Sequence, residues 1–380
     1  MSDYDLIKQE VVTPVLSASD PQLSLGQNGP ETIEKSKIFV QRLDIHDVVT
    51  IKHPDGSGNP VAILCDQVFF HTNGIIQSDS EIIFFSDYAE GFIAIQNTKG
   101  THAKDMEPIQ TIPDPVPGTA AQGGTGAKGR NADFDPPFTN HSARSGGAGG
   151  TGAQGAQGHD GFTTQNRNNG EHANDITIFV KQFHPDSILE ISARGGDGGD
   201  GAKGGTGGQG QQGGKGGTGG EGGHGNSLSP AKRGGTGGAG GKGGTGGTGG
   251  RGGPGGDGGN GGDILIYALD GHSLGIIEII NNKGGFKGIG GQGGDGGKGG
   301  NPGKRGDGGK GGDGAIFRGD GQNGLAGSKG SLGQPGNPGR PGDDGENGID
   351  GDVRHEARQV VGHVSSNRAK QIALQVVNVA

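Results

Sequence analysis

The residue types that do acid–base, metal or nucleophilic chemistry are present, but not at the spacings such chemistry needs. There are twelve histidines, and none is paired at metal-ligand spacing. His71, His172, His184, His272 and His363 read as turn or surface residues. Neither HExxH nor GxSxG occurs. Matches to GxGxxG abound, but none sits between a strand and an amphipathic helix, so they carry no nucleotide signal. Aspartates recur at multiples of three beside lysines, which places them on one solvated ridge. A calcium-binding nonapeptide would also need an aliphatic that is missing. The lone cysteine, Cys65, lies in the apolar run VAILC and reads as a buried structural thiol. The expectation is a protein without catalysis, metal or cofactor.

Function must then be sought in architecture. Of 380 residues, 93 are glycine and only 27% are hydrophobic, with no tryptophan. The formal net charge is −9, with both signs interleaved, which describes a solvated surface and not a nucleic-acid footprint. No run approaches the ~18 apolar residues of a membrane span. The first residues, MSDYDLIKQEVVTP, have neither a basic nor an apolar segment of the secretory type. The expected location is extracellular or particle-associated after lysis or non-Sec export, following cytoplasmic synthesis.

Three apolar stretches resemble one another: SEIIFFSDYAEGFIAIQNTKG (80–100), NDITIFVKQFHPDSILEISARGG (174–196) and GDILIYALDGHSLGIIEIINNKGG (262–285). Each reads as an acidic residue, a short strand, a turn, a second strand and then glycine. Alternation in ITIFV and ILEIS predicts paired strands with one buried face. KIFVQRL, DVVTIK, VAILC, QVFFHT and GIIQS continue the pattern upstream. The fold class expected is all-β plus polyglycine II, a solenoid- or sandwich-like module of stacked short strands with three inserted glycine-rich hairpins that form a polyglycine II bundle.

The glycine tracts start after the second strand of each repeat and end before the next repeat. Glycine falls at every third position from Gly195 to Gly225, and GGX continues from Gly234 to Gly262 after the interruption NSLSPAKR. The third tract is strict from Gly285 to Gly312 and from Gly321 to Gly351, around AIFRGD. Shorter arms near 118–131 and 145–161 flank ADFDPPFTNHSAR. Three residues per turn is the period of the polyproline II conformation, so an arm of about 30 residues extends roughly 90 Å. Equal arms on either side of a loop predict hairpins that leave the β-module and return. GGX presents two bare ridges to neighbours and one ridge of side chains to water. The last arm has one strict glycine ridge and belongs on the outside. A collagen-like Gly-X-Y reading fits only 319–351, where Pro335, Pro338 and Pro341 occur.

The strict GGX arms joined by polar loops resemble the polyglycine II bundle proteins, which include tip adhesins of some phage tail fibres and the snow-flea antifreeze protein. In the adhesins the loops between arms bind the host surface. That resemblance implies recognition loops at Asn226 to Arg233, Ala315 to Asp320 and Ala132 to Arg144. The residues it singles out are Asp133, Phe134, Phe138, Asn226, Lys232, Arg233, Phe317 and Arg318. Few small residues form a flat face here, so ice binding is not the expectation.

The organisation expected is an extended arm (1–35), the start of the β-module (36–100), a short glycine-rich hairpin (101–173), a β-repeat (174–194), a long hairpin (195–262), a second β-repeat (263–283), a third hairpin (284–351) and C-terminal strands (352–380). KQEVVTPVL and AKQIALQVVNVA offer strands for assembly, with Val11, Val12, Ile372, Leu374 and Val376 as their apolar positions. The functional expectation is a structural, self-assembling fibre whose main partner is itself. The alternative is a receptor-binding tip of a phage or phage-like tail fibre, with a cell-surface receptor as partner.

Overall fold

The computed structural model describes residues 20–56, 59–114, 118–135, 139–268, 276–316 and 318–357. Among these the protein is all-β, without helices. The strands form seven stacked coils. The first three consist of β1 (Asp20–Leu25) and β2 (Glu31–Glu34), of β3 (Lys37–Ile45) and β4 (Val48–Lys52), and of β5 (Val61–Phe70) and β6 (Ile75–Ser78). The fourth is the single long strand β7 (Ile82–Asn97). Then follow β10 (Ile176–Phe183) with β11 (Ile188–Ser192), β12 (Ile264–Ala268) with β13 (Ile277–Asn281), and β14 (Val353–Ala357). β8 (Asp133–Asp135) and β9 (Thr139–His141) form a separate antiparallel ribbon.

Each of the first six coils supplies a strand to each of two ladders, β14 extends the first ladder only among the described residues, and both ladders are parallel throughout. One runs β1-β3-β5-β7-β10-β12-β14; the other joins β2, β4, β6, the second half of β7, β11 and β13. The two strands of a repeat therefore do not pair with each other, as a hairpin reading of strand–turn–strand would have it. They pair with their counterparts in the coils above and below. β7 crosses between the ladders without a turn because Gly91 takes φ +103° there, and a Cβ at that position would collide with the Phe70 carbonyl.

Parallel stacking puts like on like. Ile38, Ile63, Phe84, Ile178 and Ile266 are in register across five coils, and Val49, Ile76, Ile95, Ile191 and Ile280 do the same in the second ladder. All but the partly buried Ile280 are buried in one core. VAILC and IIFF are buried on both faces, which explains runs that do not alternate. On the other face Phe179 stacks on Tyr267 at 4.5 Å. Cys65 is buried in the core, and burial pushes its thiol up to about 12, as expected of a structural thiol.

The hairpins replace the turn that leads from the second ladder back to the first. In the first three coils that turn is short; after β7, β11 and β13 it becomes an excursion. Arms 1 (101–114 and 118–132), 3 (195–225) and 5 (284–314) lead outward, and arms 2 (144–174), 4 (232–262) and 6 (319–351) return. Arm 1 pairs with arm 3 from Ala103 to Ala132, so it reaches well beyond the 118–131 read from glycine content.

The coils of β10 and β12 are offset by 88 residues (Ile176↔Ile264), and the arms that follow them keep that offset, as in Gly213 to Asn301 and Gly237 to Leu325. Outward arms bond to one another in parallel in one layer, returning arms in a second, and the layers are cross-linked antiparallel. One triplet shows the rule. The Gly213 N–H donates to Asn301 O of arm 5 (2.9 Å) and Gly214 N–H to Ala153 O of arm 2 (2.8 Å). The Gly214 carbonyl accepts from Gly241 of arm 4 (2.8 Å), and the Lys215 carbonyl from Gly123 of arm 1 (2.9 Å). Three residues thus bond to four neighbours.

Such proximity forbids side chains. A Cβ at Gly214 would press on the Ala121 carbonyl, and one at Gly238 on that of Gly150, each well inside 3.0 Å. Ala202 is the exception that tests the rule. It occupies a glycine position, and its N–H lacks the bond to arm 2 that Gly199 and Gly205 make on either side. Gly238→Ala is expected to destabilise the arms by about 1–3 kcal/mol, as overpacking does. Thr245→Ala on the outward ridge should stay within about 0.5 kcal/mol of wild type. Denaturant unfolding of the two variants checks the contrast.

Candidate functional site

The arm lattice brings all three interruptions to one end of the protein. Arm 1 ends where Ala132 N–H reaches His224 O (2.8 Å), and Arg144 opens arm 2 by bonding back to Arg130 O (2.8 Å). The Ala143 N–H donates to Ser229 Oγ (3.3 Å), tying the first loop to the second. The Gly225 N–H donates to Asp313 O (2.9 Å), and Gly312 N–H to Lys232 O (3.0 Å), tying the second to the third. Ser229 is buried between these loops.

The middle loop is shaped by Asn226. Its Oδ1 accepts the N–H groups of Leu228 (3.0 Å) and Ser229 (2.7 Å), a local turn of the kind asparagine favours. Leu228 is thereby left on the surface, 58% exposed, and Ile316 in the third loop is 80% exposed. Asp320 closes that loop by accepting the Gly314 N–H (2.7 Å). Exposed Arg318 donates its N–H to Ala315 O (2.8 Å).

Of the residues singled out from sequence, Asp133 and Phe134 lie in β8 at this end, with Asn226, Lys232, Arg233 and Arg318. Lys232 is partly covered and serves the lattice through its backbone; Arg233 extends along arm 6 to Asn323 O (3.3 Å). Phe138 and Phe317 lie outside the described residues, as do the assembly positions Val11, Val12, Ile372, Leu374 and Val376. Leu228 and Ile316 went unremarked in the sequence, where Leu228 is a single aliphatic among polar residues and Ile316 stands beside the aromatic Phe317.

A second feature escaped sequence reading. Many polar ridge side chains are not simply solvated. Each accepts the one backbone N–H per triplet that the glycine lattice leaves over. Asn169 Oδ1 accepts from Asp257 (2.9 Å), and Asp257 Oδ1 from Glu346 (2.9 Å). Asp175 and Asp263 do the same for Asp263 and Asp352 (2.8 and 2.9 Å), while His172 Nδ1 accepts from Asn260 (2.7 Å). His102, Asp197 and Phe286 continue the pattern in the outward layer. The signal was the recurrence of acceptor side chains at spacings of 88 and 89 residues, invisible without knowing the coil length.

These contacts shift titrations. The Asp160 carboxyl is held below its usual range by the Thr248 hydroxyl and then the Thr248 N–H. Asp344 is lowered by the Gly290 N–H and then Lys287, and Asp350 by Lys283 and then the Gly284 N–H. For Asp197 burial pushes upward, but the Phe286 N–H and Arg194 outweigh it and the carboxyl falls. Burial raises Glu81 and Asp87.

A mixed-charge groove of about 560 Å³ lies at the base of arm 1, lined by Lys52, His53, Asp79, Lys99 and Glu171. Lys99 is bonded to Asn174 (3.3 Å), and Glu171 accepts from Thr101 (2.8 Å). Among the described residues no group of three metal-ligating side chains converges.

Acid stability follows from the lowered carboxyls. Their contribution is complete above the unfolded value of roughly 4 and is lost as pH falls through the lower folded values. Glu81 and Asp87 act in reverse, their ionised forms costing stability at neutral pH. Acidification from pH 7 to pH 2 should therefore lower the protection factors of the arm amides, each taken against the intrinsic exchange rate at that pH, before those of the coil stack, as residue-resolved hydrogen exchange would report.

No protein-family model and no curated protein matches the chain. Among solved structures, the nine-helix polyproline type II bundle of a springtail antifreeze protein from Granisotoma rainieri aligns with 60% of this chain and 97% of its own, at 20% identity. The TM-score is 0.11, a value that carries no argument about fold or function.

Proposed function

We propose that the protein is a non-enzymatic structural protein whose six arms are polyglycine II helices in a two-layer bundle, and whose copies assemble into a fibre. The observation that carries this reading is the three-residue hydrogen-bond lattice, in which each interior triplet bonds to four other arms. Three residues per turn and sideways-pointing backbone groups are what a polyproline II-type helix of glycine provides. The stack of parallel coils supports end-to-end growth. β1 bonds only β3 and β14 only β12 among the described residues, so each end presents a strand edge. A head-to-tail contact of this kind generates an open filament.

A second reading makes the protein a receptor-binding tip of a phage or phage-like fibre. It is favoured by one observation: Leu228 and Ile316 stand exposed at the far end of the arms, where apolar side chains contribute nothing to the lattice.

Negative-stain electron microscopy of the purified protein over a concentration series separates the two. Regular filaments that lengthen with concentration support the fibre. Discrete particles with a projection of roughly 90 Å sink it and turn attention to the loops.

A further inference from the structure

In arms 3 and 4 the first glycine of each triplet donates its N–H to the next arm of the same layer. Gly213 donates to Asn301 of arm 5 and Gly243 to Ser331 of arm 6, each at 2.9 Å. The equivalent positions in arm 5 are every third residue from 284 to 314, and in arm 6 every third residue from 320 to 350. No seventh or eighth arm follows within the described residues, so these positions form the edge of both layers.

In arm 5 that edge is still mostly glycine, whereas in arm 6 no edge position is glycine. Arm 6 has Pro335, Pro338 and Pro341 there, residues with no N–H to leave unpaired. On either side of the prolines stand short acceptor side chains. Asp344, Asn347 and Asp350 accept the edge N–H groups of Gly290, Lys287 and Gly284 (3.0, 2.9 and 2.9 Å). Asn323 and Asp320 accept those of Gly311 and Gly314 (3.0 and 2.7 Å). Arm 5 carries its own proline, Pro302, at an edge position. The opposite edge, by contrast, leaves carbonyls such as Thr125 and Lys128 without a bond, where the equivalent Lys215 carbonyl accepts from Gly123.

We infer that arm 6 is a stop: its prolines carry no edge N–H and its short acceptor side chains consume those of Gly284, Lys287, Gly290, Gly311 and Gly314, so that a second copy does not add its arms 1 and 2 there. Glycine at the edge of both arms would match the acceptor edge of another copy at the same three-residue spacing, and pairing would continue without end. Natural sheets blunt exposed edges with proline and inward charge for the same reason. The stack gives a reason to end at six arms. Coils one to three carry none, so arms of copies joined end to end would be separated by armless coils, and an open edge would invite misaligned pairing. The inference stands on the lattice and does not depend on filaments forming.

Hydrogen exchange resolved at single glycines tests it in two arms. In the wild-type protein the amides of Gly293, Gly296 and Gly299, which face the edge beside the prolines, should exchange at least tenfold faster than those of Gly291 and Gly294. Equal protection would mean that the edge is occupied and would overturn the idea. In a variant with Pro335→Gly, Pro338→Gly, Pro341→Gly, Asp344→Gly, Asn347→Gly and Asp350→Gly, those three amides should become protected. Its sedimenting mass should also rise above that of wild type at equal concentration. A variant that keeps Gly291 and Gly294 protected but shows neither change refutes the stop, and a variant that unfolds leaves the wild-type comparison to decide.

Discussion

Everything in this structure depends on how closely two backbones can lie when no Cβ separates them. Parallel coils stack at the strand spacing of about 4.7–4.9 Å, and the chain leaves three successive coils as arms with that spacing already imposed. The arms can keep the coil register only if their facing ridges are bare. Glycine normally costs a chain the most entropy on ordering. Here that cost is offset by bonds that no other residue would permit, because an added methyl would sit against a carbonyl at almost every interior position.

Two kinds of order therefore share one register. The coil stack is held by apolar ladders such as Ile63–Phe84–Ile178, a conventional core of modest size. The arms have almost no core and are held by backbone hydrogen bonds, each worth about 1 kcal/mol net but present at every triplet. The coils anchor the phase; the arms extend it by repeating the 88-residue offset of β10 and β12. A slip by one residue would put side chains where only glycine fits, so the lattice corrects its own register.

The surface of the arms divides by role. Asp, Asn and His along the ridges take up the leftover backbone donors, while lysines pair with aspartates across arms, as Lys203 with Asp295 and Lys215 with Asp307. Such exposed pairs add little; the acceptor ladders bring geometry as well as charge. At the far end the loops are freed from the lattice rule, and exposed Leu228 and Ile316 stand there, as Phe286, Ile289 and Leu325 do on the outer ridges of the arms. At the last edge prolines replace glycines in arm 6.

The sequence by itself determined that the chain has short strands, that glycine recurs in threes, and that equal arms flank each loop. Those features are local, because periodicity and ridge occupancy are properties of a single segment. The partner of each segment was not legible. Strand–turn–strand repeats suggested pairing within a repeat, whereas β10 pairs with β7 and β12 across hairpins of more than seventy residues. Arm 1 was foreshortened for the same reason: an edge arm needs fewer glycines, so its composition understates its length. Asp257 and Asn260 read as solvated residues until the coil length placed an N–H opposite each one. Only the tertiary structure decided these points, since hydrogen-bond partners 88 residues apart are chosen by the stacking of coils and leave no mark on either segment alone.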